Sequence, residues 1–167
     1  MKRCYLVVGA ESSGNRLLGK LLVSAGCTGD DRMDGPFSAS LPTHEDPAVV
    51  IRSYPHGNEW PDLSGIYRAL RNRGYQVRVI VAVRDRHCTV MSQVKSQHHP
   101  VELAQTNVQR AYLDIFQQLG AINCWYVIVP FESLVLHGEA SSALLETLGL
   151  PPATVEIRDE NGKHYGL

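Results

Sequence analysis

Arg84 directly follows a predicted strand, residues 77–83, and Ser92 follows it by eight positions. A guanidinium fork and a hydroxyl so placed can hold a phosphate monoester through charge-assisted hydrogen bonds, each worth about 1.5–3 kcal/mol. A second cluster with anion chemistry opens the chain. Gly9-Ala10-Glu11-Ser12-Ser13-Gly14-Asn15-Arg16 follows the apolar Tyr5-Leu6-Val7-Val8 and precedes Leu17, Leu18, Leu21, Leu22 and Ala25, which share one helical face. Strand, glycine-bounded loop and helix in that order put unpaired N–H groups and a partial positive charge at the helix start. Gly9 and Gly14 let the backbone curl around a phosphate-sized group. Ser12, Ser13, Asn15 and Arg16 can each donate to an oxyanion. His56, at the exit of another apolar run, is the first choice for a general base because an imidazole titrates near neutrality; Glu11 is the second.

The spacing of Gly9 and Gly14 equals that of the ATP-binding loop G-x-x-x-x-G-K-[ST], but Asn15 stands at the lysine position and Arg16 at the Ser/Thr position. The hydroxyl that would ligate magnesium is therefore missing. The loop reads as an anion cradle without the parts that handle Mg-ATP, and no metal ligand set is predicted. His98-His99 reads as a solvated turn, and Trp125 as a core residue.

These groups must be carried by alternating strands and helices. Strands are predicted at residues 3–9, 48–51, 77–83 and 125–129. Helices are predicted from about Gly14 to Ala25 with Gly26 as cap, around Leu63, Ile66, Tyr67 and Leu70, over 88–97, from Pro100 to a stop at Gly120, and over 139–148. Residues 28–47 read as a long loop, and 154–167 as a C-terminal tail that is polar and without period from Arg158 to Leu167. Continuous apolar runs imply strands buried on both faces. The expected architecture is a single α/β domain over 1–167, a three-layer P-loop-like fold with a mostly parallel sheet of about four to five strands. The polar stretches 9–16, 52–57 and 84–86 then meet at the carboxyl edge of the sheet, where such folds bind ligands.

With those residues in place the chain resembles the P-loop-type sulfotransferases, which use 3′-phosphoadenosine 5′-phosphosulfate (PAPS). That family carries G-x-x-[RK]-S-G-[TS]-[TS] after its first strand, and Gly9, Ser13 and Gly14 match it. It also carries an arginine at a later strand end with a serine eight residues on, as Arg84 and Ser92 stand here. Ile51-Arg52-Ser53-Tyr54-Pro55-His56 looks like the family's second-strand exit, where a catalytic histidine often lies. Val129-Pro130-Phe131-Glu132-Ser133-Leu134 and Leu148-Gly149-Leu150-Pro151 look like its C-terminal strand, turn and ending. The resemblance implies a PAPS donor, with its 5′-phosphosulfate on Gly9, Ser12, Ser13, Gly14, Asn15 and Arg16 and its 3′-phosphate on Arg84 and Ser92. It implies metal-independent transfer to a hydroxyl or amine of a small-molecule or carbohydrate acceptor, with residues 28–47 as the local candidate for holding that acceptor. Ser12 replaces the family's basic residue, and Asn15-Arg16 replace two hydroxyl residues; Arg16 would supply the charge from the first helical turn. Arg158, Lys163 and His164 are the candidates for the family's C-terminal basic segment. The alternatives are a P-loop kinase or nucleotide hydrolase, and a catalytically inactive nucleotide-binding module.

Composition bounds the rest. A chain of 167 residues, 44% hydrophobic and 20% charged, suits one globular domain. A net charge of −1 gives no global field for nucleic acid. No apolar run reaches the roughly 18 residues of a membrane span, and the apolar start lacks a signal-peptide pattern. Cys4, Cys27, Cys88 and Cys124 show neither disulfide nor zinc spacing, which places the expectation in the cytoplasm.

Overall fold

A computed structural model describes residues 1–29, 41–56 and 59–165. Its centre is a five-stranded, all-parallel sheet in the order β2-β3-β1-β4-β5. The strands are β1 (Lys2–Ala10), β2 (Thr28–Gly29), β3 (Ala48–Tyr54), β4 (Tyr75–Val83) and β5 (Tyr126–Pro130). Helices α1 (Asn15–Ser24), α2 (Leu63–Asn72), α3 (Arg86–Gln97), α4 (Val101–Ile122), α5 (Phe131–Leu136) and α6 (Ala140–Leu148) connect and cover them, and α7 (Gly162–Tyr165) ends the described chain. This is the three-layer P-loop-like α/β arrangement that the alternation predicts.

The continuous apolar runs explain the layering. Side chains alternate across a strand, so Leu6 and Val8 of β1 face one side with Val79 and Val81 of β4, while Tyr5 and Val7 face the other with Ile80 and Ala82. The first face is sealed by Leu63 and Leu70 of α2 and by Ala104, Val108, Ala111, Ile115 and Leu119 of α4. The second is sealed by Leu18, Leu21 and Leu22 of α1 and by Leu144, Leu145 and Leu148 of α6. Each fully buried leucine contributes about 1.5–3 kcal/mol of transfer free energy. Central β1 carries seven consecutive buried residues, Cys4–Ala10, so the loop at its end leaves from the buried centre of the sheet.

Several expectations are corrected. The second predicted strand does not stop at Ile51: Arg52, Ser53 and Tyr54 continue β3, paired with Val8, Gly9 and Ala10, and all three are buried. Pairing to central β1 holds polar residues in the strand where composition suggests a turn. Thr28–Gly29, inside the predicted long loop, forms a two-residue edge strand on β3. Gly120 lies within α4, which ends at Asn123 in the left-handed conformation (φ 47°), a cap asparagine supplies as glycine does. Trp125 precedes β5 and is 46% exposed rather than core. Residues 30–40, most of the segment expected to hold an acceptor, lie outside the described residues. Among the described residues no helix is long and apolar enough to cross a membrane.

Candidate functional site

The loop between β1 and α1 is held from within. The Ser13 amide donates to the Ala10 carbonyl at 3.1 Å, and its hydroxyl donates to the same oxygen at 2.6 Å. Asn15 Nδ2 donates to the carbonyls of Gly9 and Ala10, both at 3.2 Å, and to Ser53 Oγ at 3.1 Å. Ser13 and Asn15, 1% and 3% exposed, therefore spend these donors on the loop. A β-carbon on Gly9 would lie 2.5 Å from Ser13 Oγ and 2.6 Å from the Ala82 carbonyl, so this glycine is required for packing against β4. Ser12 is left-handed at φ 69°, and the adjoining Gly14 has φ 104°. A non-glycine residue in that region costs of order 1 kcal/mol or more and is characteristic of ligand loops.

The helix that follows starts with unpaired backbone donors. Gly14 caps α1 without a side-chain hydrogen bond among the described residues, and no acid occupies the first turn. Arg16 stands there instead, exposed, so the N–H groups of the first turn and a guanidinium share one mouth.

Arg84 is the hub. Its Nε donates to Asn161 Oδ1 at 2.7 Å and its Nη1 to the Ser12 carbonyl at 3.1 Å. The guanidinium carbon lies 4.7 Å from the centre of the Phe131 ring. Nη2 is buried and has no partner among the described residues. Such a fork, fixed on two sides with one donor left over, is preorganised for an oxyanion. Asn161 is itself fixed, since its Nδ2 donates to Glu132 Oε1 at 2.8 Å, and the same oxygen accepts the Asp85 amide at 2.9 Å.

Two cavities meet at Arg84, Arg16 and Ser92. One, of about 370 Å³, is lined also by Glu11, Ser12, Gly14 and Asn15. The other, of about 570 Å³, is lined also by Lys20, Phe131, Arg158 and Lys163, with Glu156 and Glu160. Five cationic side chains against two carboxylates make that second cavity net positive. Of the residues singled out in the sequence, the fold thus brings Glu11, Ser12, Gly14, Asn15, Arg16, Arg84 and Ser92 around one space. Gly9, Ser13 and His56 are not on its wall. His56 pairs with Glu59 in an isolated bridge, and its Nδ1 accepts the Ser53 amide at 3.3 Å.

Glu11 differs in environment from an ordinary surface carboxylate. Burial raises its pKa, opposed by a hydrogen bond from Gln97 and by the nearby His99. Its Oε2 is buried with no partner among the described residues, while its backbone carbonyl accepts Gln93 Nε2 at 2.9 Å.

The chain matches no protein-family model and no curated protein. The site therefore rests on its geometry.

The C-terminal tail, which the sequence presents as polar and aperiodic, is part of that geometry. Tyr165 donates its hydroxyl to Asp85 Oδ1 at 2.8 Å and stacks on His87 with ring centres 5.3 Å apart. Lys95 reaches the Lys163 carbonyl at 3.4 Å. His164 is buried between these contacts, and burial, with Arg84, Lys95, Lys163 and His87 nearby, lowers its pKa. Asn161, Phe131, Lys20, Ser96 and Gln97 are site residues that sequence reasoning missed. A signal existed for Ser96 and Gln97: they lie one helical turn after Ser92 and Gln93. None existed for Asn161, 77 positions from Arg84.

Asn161→Ala tests the tail's contribution. It removes one of the two hydrogen bonds that orient Arg84 while keeping the charge. If the cavity takes adenosine 3′,5′-bisphosphate, as the sequence resemblance implies, affinity is expected to fall about threefold to tenfold, the worth of one lost hydrogen bond. Calorimetry on the folded variant checks this, and unchanged affinity would show that Asn161 does not position Arg84.

Proposed function

We propose that the protein is a sulfotransferase that moves a sulfuryl group from PAPS to an acceptor hydroxyl or amine. The observation that carries this reading is the Arg84 guanidinium, fixed on two sides, on the wall of a cavity that Ser92 and the α1 N-terminus also line. Arg84 and Ser92 would hold the 3′-phosphate of the donor. The first-turn N–H groups of α1, the Ser12 hydroxyl and Arg16 would hold its 5′-phosphosulfate, with Lys20, Arg158 and Lys163 along the second cavity. The bound donor supplies an electrophilic sulfur and a bisphosphate leaving group.

What the protein adds is position and charge. Arg16, in the first turn of α1, would set its guanidinium against the negative charge that grows on the leaving oxygen and so lower the barrier. Glu11 is the base that best fits the acceptor's proton, because it lines the cavity with a raised pKa. His56 faces Ser53 and Glu59 and becomes the second candidate.

The Asn15 side chain favours this reading over a kinase. At the position where an ATP-binding loop presents its lysine, Asn15 is buried and bonded to Gly9, Ala10 and Ser53. A sulfuryl group carries less negative charge than a terminal phosphoryl group, so fixed donors suffice in place of a metal. The test measures transfer from labelled PAPS to a panel of hydroxyl and amine acceptors, with and without excess EDTA, beside ATP hydrolysis with magnesium. Transfer that survives chelation is expected. Activity lost to EDTA and restored by magnesium, or robust ATP turnover, would overturn the reading in favour of a P-loop kinase or hydrolase.

A further inference from the structure

A third cavity also touches Arg84 but opens onto the other side of the strand exit. It is a cleft of about 610 Å³ whose apolar wall comes from α4, through Val108, Tyr112, Leu113 and Phe116, and whose basic wall is Arg84 and Arg86. Gln109 and Gln117 complete it, and no acid is among the described residues that line it. Neighbouring Asp85 is already committed: its carboxylate accepts the Cys88 amide and the Tyr165 hydroxyl, which holds it ionised below the usual range. Arg86 lines this cleft and neither phosphate-side cavity.

The α4 wall is unusually apolar for a surface. Leu113 is 55% exposed and Phe116 37%. Tyr112 satisfies its hydroxyl on the Ala82 carbonyl at 3.2 Å and offers only its ring, which stacks near Phe116. Leu113 and Phe116 lie three apart on one helical face, so the exposure is contiguous.

We propose that this cleft is a binding site for a small amphipathic anion, an aliphatic or aromatic carboxylate whose apolar body lies on Val108, Tyr112, Leu113 and Phe116 and whose charged head meets Arg86. The volume falls in the range of small-ligand clefts, roughly 300–1,000 Å³. The pairing of an apolar floor with two guanidiniums and no carboxylate selects against neutral lipids and against cations. A second copy of the chain fits less well, because a symmetric contact through this face would bring the same arginines against each other. The inference does not depend on the sulfotransferase reading, since it uses a different wall and a residue, Arg86, outside the phosphate cavities.

The experiment titrates decanoate, below its micellar concentration, into the full-length chain by calorimetry, with decanamide as the neutral isostere. One decanoate site per chain is expected, with decanamide at least about tenfold weaker, the worth of a charge-assisted hydrogen bond. Arg86→Ala is expected to weaken decanoate by about tenfold and Phe116→Asp to abolish binding, each with the melting temperature recorded. Adenosine 3′,5′-bisphosphate affinity should be unchanged in Arg86→Ala. Equal affinity for decanoate and decanamide, or an Arg86→Ala variant that binds decanoate normally, would overturn the proposal. So would absence of decanoate binding together with a concentration-dependent dimer that Phe116→Asp dissolves, which would assign the face to a second copy. Absence of bisphosphate binding in the unmutated chain would count against the sulfotransferase reading and leave the decanoate result standing.

Discussion

Glu11→Gln is expected to lower sulfuryl transfer by about 10²–10⁴-fold, the usual worth of a positioned general base, with little change in bisphosphate affinity. Glutamine keeps the shape and can still meet Gln97, but it cannot accept the acceptor's proton. The pH profile makes the assignment specific. Burial raises the Glu11 pKa above its ordinary value of 4.5, so the base is protonated and idle at low pH, and activity rises through an acid limb displaced above the usual carboxylate range. The variant's residual activity should lack that limb. Stability moves in the opposite sense. With the folded pKa raised, the unfolded chain ionises first as pH climbs, so stability falls between the ordinary and the raised value and stays reduced above it. Glu11→Gln removes this penalty. Its melting temperature should exceed that of the unmutated protein at neutral pH and equal it in acid. A variant that is slow but keeps the acid limb would transfer the role to another group, with His56 next to be replaced.

Arg84→Ala is expected to weaken adenosine 3′,5′-bisphosphate by roughly 10- to 100-fold, and to leave adenosine 5′-phosphate nearly unaffected. The magnitude follows from losing charge-assisted hydrogen bonds to a phosphate at the Arg84 and Ser92 wall. Truncation also leaves Asn161 Oδ1 without its donor and strips the cation from the Phe131 ring, so some destabilisation will accompany it. The comparison of two nucleotides in the same variant cancels that cost. Arg84→Lys should not restore affinity. A single ammonium cannot hold Asn161, the Ser12 carbonyl and an oxyanion with the fixed geometry of a fork. Equal losses for both nucleotides in calorimetry would remove Arg84 from the 3′-phosphate site.

The local sequence was sufficient for the parts of this protein whose physics is local. Apolar runs at Tyr5–Val8 and Val79–Val83 read as parallel strands because no polar residue interrupts them; both lie in the parallel sheet, buried except for the half-buried Val83. The helical period of Ala104, Val108, Ala111, Ile115 and Leu119 matches the buried face of α4 residue for residue. The glycine-bounded loop between a strand and a helix was visible for the same reason, as were Arg84 and Ser92, whose separation is set by a strand end and two turns of one helix.

Tertiary structure decided what depends on partners distant in the chain. Ser13 and Asn15 are donors by type, and only the fold turns them onto the Ala10 and Gly9 carbonyls and the Ser53 hydroxyl. Arg52 and Ser53 look like a turn, yet pairing with Val8 and Gly9 makes them strand. The tail first packs Ala153, Val155 and Ile157 against the core that α1 and α6 cover. Beyond them it satisfies the side chains of Arg84, Glu132 and Asp85, through Asn161 and Tyr165. Hydrophobic periodicity records which face of an element meets the core. It carries no record of a single polar side chain closing on another 77 residues away, because that contact is chosen by the packed sheet and not by the neighbours in sequence.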